Sequence, residues 1–318
     1  MSAKAISSSI ILITGATGSL GSTLVRTLTC LYPGRFKLLL ACRNVEDNYA
    51  STLSDFLNSK SADFSLEKLD LSDLQSVKGF AESVNGRIGK GELPGFGGGG
   101  VVNCAAILDF SPDAEIQQNM YFTNTLGPTL LMRELLSSLK KGGDVRYINI
   151  GTSGHSRGSL DHFHRQGQMS TSEARLGYAS SKLLLLMTNY ALQRKVYLLD
   201  PQTKLKFMTL DPGVMHAHSR LNGPDPALFF RILIPTLTFF GPVLRRMNKA
   251  AINPPEVAAK AIAEMFEQQR WVNEAAWERG KYFVLDDEVQ SSALSLDEEK
   301  QDEVWCTVTK ELDLPNEL

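Results

Sequence analysis

The chain has 318 residues, and 43% of them are hydrophobic, so it is long enough to bury a sizeable core. A formal net charge of −2 argues against nucleic-acid binding, which normally needs a concentrated basic surface. The four cysteines form no C-x-x-C pair and the five histidines lack a complete set of partner ligands, so we expect neither disulfides nor a metal site. These features are typical of a reducing, cytoplasmic compartment.

Short apolar runs alternate with helix-like patterns through most of the chain. The predicted strands are Ile10–Thr14, Phe36–Ala41, Phe64–Leu69, Val101–Ala105, Val145–Ile150 and Leu205–Leu210. The predicted helices are Leu20–Leu31, Asn48–Ser59, Leu74–Val84, Ile116–Leu139, Tyr178–Lys195 and Glu256–Gln269. Continuous apolar strands between helices predict a parallel sheet covered on both faces. The expected fold class is therefore α/β, a doubly wound parallel sheet of Rossmann type in a single domain over 1–318.

Three segments depart from this alternation. Gly86–Gly100 is so rich in glycine that we predict a mobile surface loop. The region 215–255 contains the longest apolar stretch, Ala227–Leu244, which one arginine and two prolines interrupt. Those interruptions predict short helices that cover a substrate or touch a membrane, rather than one membrane span. The acidic end, 286–318, predicts a peripheral helix with a frayed tail.

A glycine-rich turn, TGATGSLG, follows the first predicted strand and opens the first predicted helix. Glycines at such a turn let the backbone approach a pyrophosphate closely. The helix N-terminus then supplies free N–H groups and a partial positive charge. The turn therefore predicts a dinucleotide site formed by Gly15, Thr17, Gly18, Ser19, Leu20 and Gly21.

The end of the second predicted strand reads ACRN and indicates which dinucleotide is bound. NAD sites usually carry an acidic residue at this place, whereas Arg43 can pair with a 2′-phosphate through two charge-assisted hydrogen bonds. NADP(H) is therefore the predicted cofactor, and an ordinary surface arginine is the alternative. Asp70, at the end of the third strand, is placed to touch the adenine edge, and Asn103, at the end of the fourth, is placed to line the cofactor groove; turn capping is the alternative for both. Leu71 and Ala105 are also predicted to contact the cofactor.

Tyr178 and Lys182 form a Y-x-x-x-K pair on one face of a predicted helix. An ammonium group beside a phenol stabilises the phenolate and lowers the pKa of the tyrosine. We therefore expect Tyr178 to exchange protons with a substrate near neutral pH.

These motifs together resemble the short-chain dehydrogenase/reductase family over roughly residues 8–220. The matching segments are TGATGSLG, ACRN, NCAA, TNTLGP, INIGTSGH, YASSK and DPGV. The resemblance implies that Tyr178 is the general acid and base, that Lys182 binds the nicotinamide ribose and that Asn124 helps to hold a relay water. It also implies that the nicotinamide is bordered by Pro212, Gly213 and Val214.

The family places a hydroxyl side chain just after the fifth strand to orient the substrate oxygen. Alignment of the strand INIGTSG with the family pattern favours Thr152, with Ser153 as the alternative. Ala217 stands where the family often has a threonine near the cofactor amide. The glycine spacing is that of the extended subfamily, whereas ACRN and DPGV are typical of members outside it.

The ACRN motif and the insert between Thr152 and Tyr178 are similar to the retinol-dehydrogenase-like and ketosteroid-reductase-like branches. Those branches imply an NADP(H)-dependent oxidoreductase, a carbonyl reductase or alcohol dehydrogenase acting on a lipophilic ketone, aldehyde or alcohol. The alternatives are an epimerase or isomerase that retains its cofactor, and an NADP-sensing regulator. The expected partner is a small lipophilic molecule. The sequence leaves a homo-oligomer and a peripheral membrane contact open.

Overall fold

The computed structural model describes residues 9–164, 169–215, 249, 252–267 and 277–318. Ala217 and the predicted covering stretch, Ala227–Leu244, lie outside the described residues. The strands within those limits are β1 Ser9–Thr14, β2 Phe36–Cys42, β3 Phe64–Lys68, β4 Gly100–Asn103, β5 Val145–Ile150, β6 Leu205–Asp211, β7 Val214–Met215, β8 Ile252–Asn253, β9 Lys281–Val284 and β10 Asp287–Val289.

Eight of these strands form one sheet in the order β10-β9-β6-β5-β4-β1-β2-β3. All neighbours pair in parallel except β10, which returns antiparallel to β9. β7 and β8 form a separate parallel pair. The strand order reverses between β1 and β4, which is the switch point where ligands bind in a doubly wound sheet. The predicted α/β, Rossmann-type fold is confirmed.

Helices cover both faces of the sheet. They are α1 Ser19–Leu31, α2 Asn48–Ser59, α3 Leu74–Gly89, α4 Ala114–Tyr121, α5 Gly127–Lys141, α6 Thr171–Ala174, α7 Gly177–Leu199, α8 Pro255–Glu264, α9 Ala293–Leu296 and α10 Glu298–Glu311. One apolar core joins the sheet to α3, α5, α7 and α10. The second core lies on the opposite face, with α1, α2 and α8. The strands read as continuous apolar runs because both of their faces are buried.

The long predicted helix Ile116–Leu139 contains a π-helical turn at Phe122–Leu126, between α4 and α5. Pro128 explains the interruption, because it has no N–H to donate to the carbonyl of Asn124 four residues earlier. A wider turn accommodates the missing bond, and such turns often occur at functional sites. The structure therefore replaces one regular helix with two helices and a wide turn that carries Asn124.

The prediction of a mobile surface loop over Gly86–Gly100 is right in part: residues 90–99 form a loop, but the loop is shorter than expected and partly buried. Helix α3 continues to Gly89, and Phe96 is 0% exposed in the core. A Cβ on Gly99 would lie 2.1 Å from the carbonyl oxygen of Ile10. Glycine at that position therefore allows close packing of the backbone against β1, which composition alone does not distinguish from looseness.

The helix expected near the acidic end is present as α10, but it packs more deeply than a peripheral helix. Trp305 is 0% exposed and lies in the same apolar core as α7. The Trp305 Nε1 donates to the carbonyl of Asn316 at 2.9 Å, which holds the following residues against the helix.

Candidate active site

The glycine turn between β1 and α1 is built so that only glycine fits at its two ends. Gly15 has φ +62°, and a Cβ there would lie 2.8 Å from the Cα of Ala105. A Cβ on Gly21 would lie 2.3 Å from the Gly15 carbonyl oxygen. The N–H of Gly18 donates to that same oxygen at 2.9 Å and closes the turn. The backbone is thus open to a ligand that has to approach closely.

The N-terminus of α1 offers its N–H groups to that ligand. Gly18 is the N-cap in an extended conformation, no side chain caps this helix end, and its first turn contains no acidic residue. Thr17 and Ser19 flank the cap, while the Leu20 side chain is 5% exposed and packs in the core. Leu20 can therefore contact a ligand only through its backbone. An uncapped helix N-terminus at this place fits a pyrophosphate.

The ends of β2 and β3 place the next two predicted residues. Arg43 is exposed just after β2 and makes no hydrogen bond or ion pair with any residue that the structure describes. Asp70 follows β3, and its Oδ1 accepts the Ser72 N–H at 2.9 Å and the Ser72 hydroxyl at 2.7 Å. Asp70 therefore closes a turn, which was the alternative that the sequence left open. The Leu71 side chain is buried, so its contact with a cofactor would be through the backbone.

A row of buried polar side chains crosses the sheet at the end of β4. Thr14 donates its hydroxyl proton to Asn103 Oδ1 at 2.6 Å, and its oxygen accepts the Ala105 N–H at 3.2 Å. The Asn103 amide donates to Asn149 Oδ1 at 3.1 Å, and Asn149 in turn donates to Asn189 Oδ1 on α7 at 3.2 Å. Asn103 thus braces the sheet edge. Sequence reasoning missed Thr14, Asn149 and Asn189, because their shared register appears only in the folded sheet.

Tyr178 and Lys182 lie in the first turns of α7, beside the end of β5. The Lys182 Nζ donates to the carbonyl of Ile150 at 2.8 Å, and it lies 5.8 Å from the centre of the Tyr178 ring. Lys182 is 2% exposed, whereas Tyr178 is half-buried. The predicted pair is therefore brought together at the carboxyl edge of the sheet, with its ammonium group held by a strand carbonyl.

The pKa values of the pair differ from the expectation of a depressed tyrosine. Burial lowers the pKa of Lys182 to about 8. Burial, and then the nearby Asp211 carboxylate, raise the pKa of Tyr178 to about 12. The phenolate is disfavoured because it is both poorly solvated and close to a negative charge. Tyr178 therefore holds its proton at neutral pH and is suited to donate it.

Asn124 lies in the π-helical turn with no exposed surface. Its Oδ1 accepts the N–H of Ile107 at 2.7 Å, and its amide donates to the Ile107 carbonyl at 2.8 Å and to the Ser181 hydroxyl at 3.1 Å. Both amide hydrogens are thus occupied. The side chain ties the segment after β4 to helix α7. No sequence motif indicates its partners Ile107 and Ser181.

The two candidate hydroxyl residues after β5 differ in their surroundings. Thr152 is half-buried, and its Oγ1 accepts the Gly154 N–H at 3.1 Å. The hydroxyl donates to none of the described residues, so its proton is free for a substrate oxygen. Ser153 is exposed, and its backbone N–H donates to Asp211 Oδ2 at 2.6 Å. This arrangement favours Thr152 as the residue that orients a substrate.

The turn after β6 supplies the last predicted group of residues. Gly213 has φ +76°, and its N–H donates to Asp211 Oδ1 at 2.8 Å. The carbonyl of Pro212 accepts the Asn253 amide at 2.8 Å, and Val214 is 51% exposed. Asp211 and Asn253 therefore hold the turn in place. Sequence reasoning treated Asp211 only as the first letter of the DPGV motif and missed its contacts.

Two wider features of the described residues concern metals and membranes. Within these parts of the chain, no three His, Cys, Asp or Glu side chains are grouped so that they could hold a metal ion. No helix among the described residues is both long enough and apolar enough to cross a membrane.

The chain is similar in sequence to known dehydrogenases and reductases. No family model matches the chain. Retinol dehydrogenase 12 of Mus musculus is 26% identical over 228 residues, which cover 71% of this chain and 67% of that protein. The dehydrogenase/reductase SDR family member FEY of Arabidopsis thaliana is 29% identical over 213 residues, 64% of this chain and 53% of its own length. Retinol dehydrogenase 13 of Mus musculus is 25% identical over 303 residues, 93% and 81% of the two chains.

Solved structures share the fold. NADPH-bound carbonyl reductase from chicken fatty liver superposes with a TM-score of 0.63 at 20% identity, covering 90% of this chain and 99% of the other. An alcohol dehydrogenase from the archaeon Thermococcus sibiricus, complexed with 5-hydroxy-NADP, has a TM-score of 0.57 at 18% identity, with 89% and 99% covered.

The strand order and the glycine turn define a doubly wound α/β domain whose first turn fits a dinucleotide. In sequence, the chain resembles the short-chain dehydrogenase/reductase family and its retinol-dehydrogenase-like branch.

Proposed function

We propose that this protein is an NADP(H)-dependent oxidoreductase that interconverts a lipophilic carbonyl compound and its alcohol, with reduction as the favoured direction. The observation that carries the proposal is the placement of Tyr178 and Lys182 at the carboxyl edge of the sheet, the edge at which the glycine turn also lies. A protonated phenol beside an ammonium group is suited to give a proton to a carbonyl oxygen. The name of the sequence relative retinol dehydrogenase 12 supports the same proposal, because a dehydrogenase is an oxidoreductase.

The residues present fit nicotinamide adenine dinucleotide phosphate, NADP(H). The glycine turn and the uncapped start of α1 suit a pyrophosphate. Arg43, which is exposed and has no partner among the described residues, suits a 2′-phosphate. Structural neighbours that contain NADPH or NADP support this choice. When bound, the cofactor supplies or accepts the hydride.

The chain itself handles the proton and the substrate oxygen. Tyr178 donates its proton to the oxygen of the carbonyl group, and the Thr152 hydroxyl donates a hydrogen bond to the same oxygen. The Lys182 ammonium stabilises the phenolate that forms on Tyr178. Asn124 holds the segment after β4 against α7, so that the reacting groups keep their positions.

Exposed apolar side chains near this edge support a lipophilic substrate. Phe110 is 43% exposed on the segment after β4, Leu176 is 36% exposed just before α7, and Val214 is 51% exposed beyond the Pro212–Gly213 turn. Ligand sites are commonly lined by such apolar side chains around a few polar groups. The names of the retinol dehydrogenase relatives point to the same class of compound. No disulfide joins any of the four cysteines, all of which lie in the described part of the chain, and this supports a reducing, cytoplasmic location.

Turnover assays test the proposal directly. The purified chain is mixed with NADPH or NADH and a panel of lipophilic aldehydes and ketones, and with NADP⁺ and the matching alcohols. We expect consumption of NADPH with at least one lipophilic carbonyl compound. The decrease in absorbance at the nicotinamide band measures this consumption. No cofactor-dependent turnover with any member of the panel contradicts the proposal.

Arg43→Ala is expected to weaken NADPH binding about ten- to a hundredfold while NADH binding changes little, because a charge-assisted contact contributes about 1.5–3 kcal/mol. Fluorescence titration of both nucleotides measures the effect. Lys90→Ala, which removes an exposed positive charge at the end of α3, serves as the control and should leave both affinities unchanged. Equal weakening of NADPH and NADH by Arg43→Ala means that Arg43 does not contact the phosphate.

The pH dependence of kcat/KM for carbonyl reduction is expected to follow Lys182. Its pKa of about 8 lies below the ordinary lysine value of 10.5, so the ammonium is present below pH 8 and lost as the pH rises through it. Reduction should therefore decline above about pH 8. Circular dichroism over the same range checks that the protein stays folded. A profile that stays flat until the ordinary lysine value contradicts this expectation.

A further inference from the structure

Asp211 is a buried carboxylate on which three hydrogen bonds converge. Its Oδ2 accepts the backbone N–H of Ser153 at 2.6 Å and the hydroxyl of Tyr282 at 3.2 Å. Its Oδ1 accepts the backbone N–H of Gly213 at 2.8 Å. Asp211 is 1% exposed, so water contributes little to its solvation. A buried carboxylate is tolerable only when its hydrogen bonds are made, and these three donors make them.

Two of the three donors belong to loops that flank the reacting groups. Ser153 follows the candidate hydroxyl residue Thr152, and Gly213 belongs to the turn expected to border the nicotinamide. The third donor, Tyr282, lies on the neighbouring strand β9 and anchors the carboxylate to the sheet. One side chain thereby sets the spacing between the loop after β5 and the turn after β6.

A second connection holds the Thr152 loop from the other side. The His155 Nδ1 lies 2.7 Å from the carbonyl of Thr152, and its Nε2 accepts the Ser292 N–H at 3.1 Å. Because a carbonyl can only accept, the proton of the neutral ring lies on Nδ1. The Thr152 loop is thus fixed both to Asp211 and to the segment before α9.

We infer that Asp211 is a positioning residue, which sets Thr152 against the Pro212–Gly213 turn. Its carboxylate adds to burial in holding the proton on Tyr178. Its effect on turnover rests on the proposed function. Its effect on the Tyr178 proton does not, because that proton can be observed without any substrate. The role therefore has two readouts, and one of them is independent of the reaction.

Among the residues that the structure describes, Asp211 is the charged group near this cluster that adds to burial in opposing the phenolate. The other titratable side chains described here are Lys182, Cys104, His155 and Tyr282. Burial raises the pKa of Cys104 to about 12 and raises that of Tyr282, so both stay neutral. Burial lowers the pKa of His155, which keeps the ring neutral as well. Lys182 favours the phenolate, and the Asp211 carboxylate opposes it.

The test replaces Asp211 by its uncharged isostere in the full chain. A fluorinated tyrosine at position 178 has a lower intrinsic pKa, which brings its titration into a range where the protein stays folded, and fluorine NMR follows it. In Asp211→Asn we expect the pKa of this residue to fall by about half a unit or more, because a nearby negative charge has been removed. With a confirmed substrate, we expect kcat to fall about tenfold or more, with a smaller change in KM, because the misplaced loop affects the reacting geometry.

Asp144→Asn is the matched control. Asp144 is also a largely buried carboxylate, and it accepts hydrogen bonds from Arg146 at 3.0 Å and Lys206 at 3.4 Å at the opposite edge of the sheet. This change should lower the melting temperature but leave the titration at position 178 and kcat as in the wild type. A purely structural effect would be the same in both variants.

An unchanged titration in Asp211→Asn overturns the inference, and so does a kcat equal to that of the wild type. Failure of the proposed function is a separate result, seen as absence of turnover in the wild type itself. If Asp211→Asn does not fold, Tyr282→Phe removes one donor but keeps the charge. The less stabilised carboxylate should then raise the pKa at position 178, and an unchanged or lowered value overturns the inference.

Discussion

Tyr178→Phe is expected to lower turnover by about 10²–10⁴-fold while NADPH binding stays intact, since general acid catalysis contributes this much. The phenyl ring keeps the packing of α7 and loses only the hydroxyl proton. Lys182 remains hydrogen-bonded to Ile150 in the variant, so the cofactor-side geometry is preserved. Steady-state kinetics with a confirmed carbonyl substrate and fluorescence titration of NADPH provide the two measurements.

Tyr190→Phe is the matched control for this change, because Tyr190 lies on the same helix and its hydroxyl is likewise lost without a change in ring packing. Its hydroxyl bonds Ser291 at 3.0 Å. Loss of that hydroxyl should affect stability slightly and turnover little. If Tyr178→Phe kept more than half of the wild-type turnover, Tyr178 could not be the proton donor.

Thr152→Val is expected to reduce kcat by about 10²-fold, as for the loss of one hydrogen-bond donor to a developing oxyanion. Valine has nearly the shape of threonine, so the loop after β5 keeps its packing. The change leaves the Gly154 N–H without its acceptor, and a modest fall in melting temperature should accompany it. Kinetics are therefore measured well below the melting temperature of the variant, where it is fully folded.

Ser153→Ala separates the two hydroxyl candidates. The Ser153 side chain is exposed, and its bond to Asp211 uses the backbone N–H, which alanine retains. We expect less than about a tenfold loss of turnover in this variant. Thr152→Ser should remain active, because it keeps the donor and removes only a methyl group. Activity in Thr152→Val together with inactivity in Ser153→Ala would assign the catalytic hydroxyl to Ser153 instead.

Local patterns in the sequence predicted the structure correctly where contacts between residues close in the chain determine it. Asn48–Ser59 and Val145–Ile150 have the predicted bounds, because a helix pattern and a short run rich in apolar residues are each visible within one segment. The glycine turn lies between strand and helix as expected. A Cβ on Gly21 would meet the backbone of Gly15, close in the chain, and a Cβ on Gly15 would meet Ala105, just after the neighbouring strand β4. The spacing of Tyr178 and Lys182 likewise determines that they share a helix face.

Contacts between distant parts of the chain were not predictable in the same way. Asp211 meets Ser153 and Tyr282 only after β6 and β9 pair, and no spacing in the sequence indicates that meeting. The lowered pKa expected for Tyr178 was wrong for a similar reason. Burial of the phenol, and then the Asp211 carboxylate on another strand, raise its pKa, and the motif reveals neither. In Gly86–Gly100, composition suggested mobility throughout, whereas Gly99 allows close packing of the backbone against β1.

The wide helical turn at Phe122–Leu126 has a consequence for insertions and deletions. Successive residues of an α-helix are rotated by roughly 100° about its axis, so removing one residue from this turn would rotate everything before it relative to α5. Asn124 could then no longer face both Ile107 and Ser181. Substitutions can accumulate on the exposed side of α4 and α5, but the number of residues between them is fixed by the geometry of one asparagine.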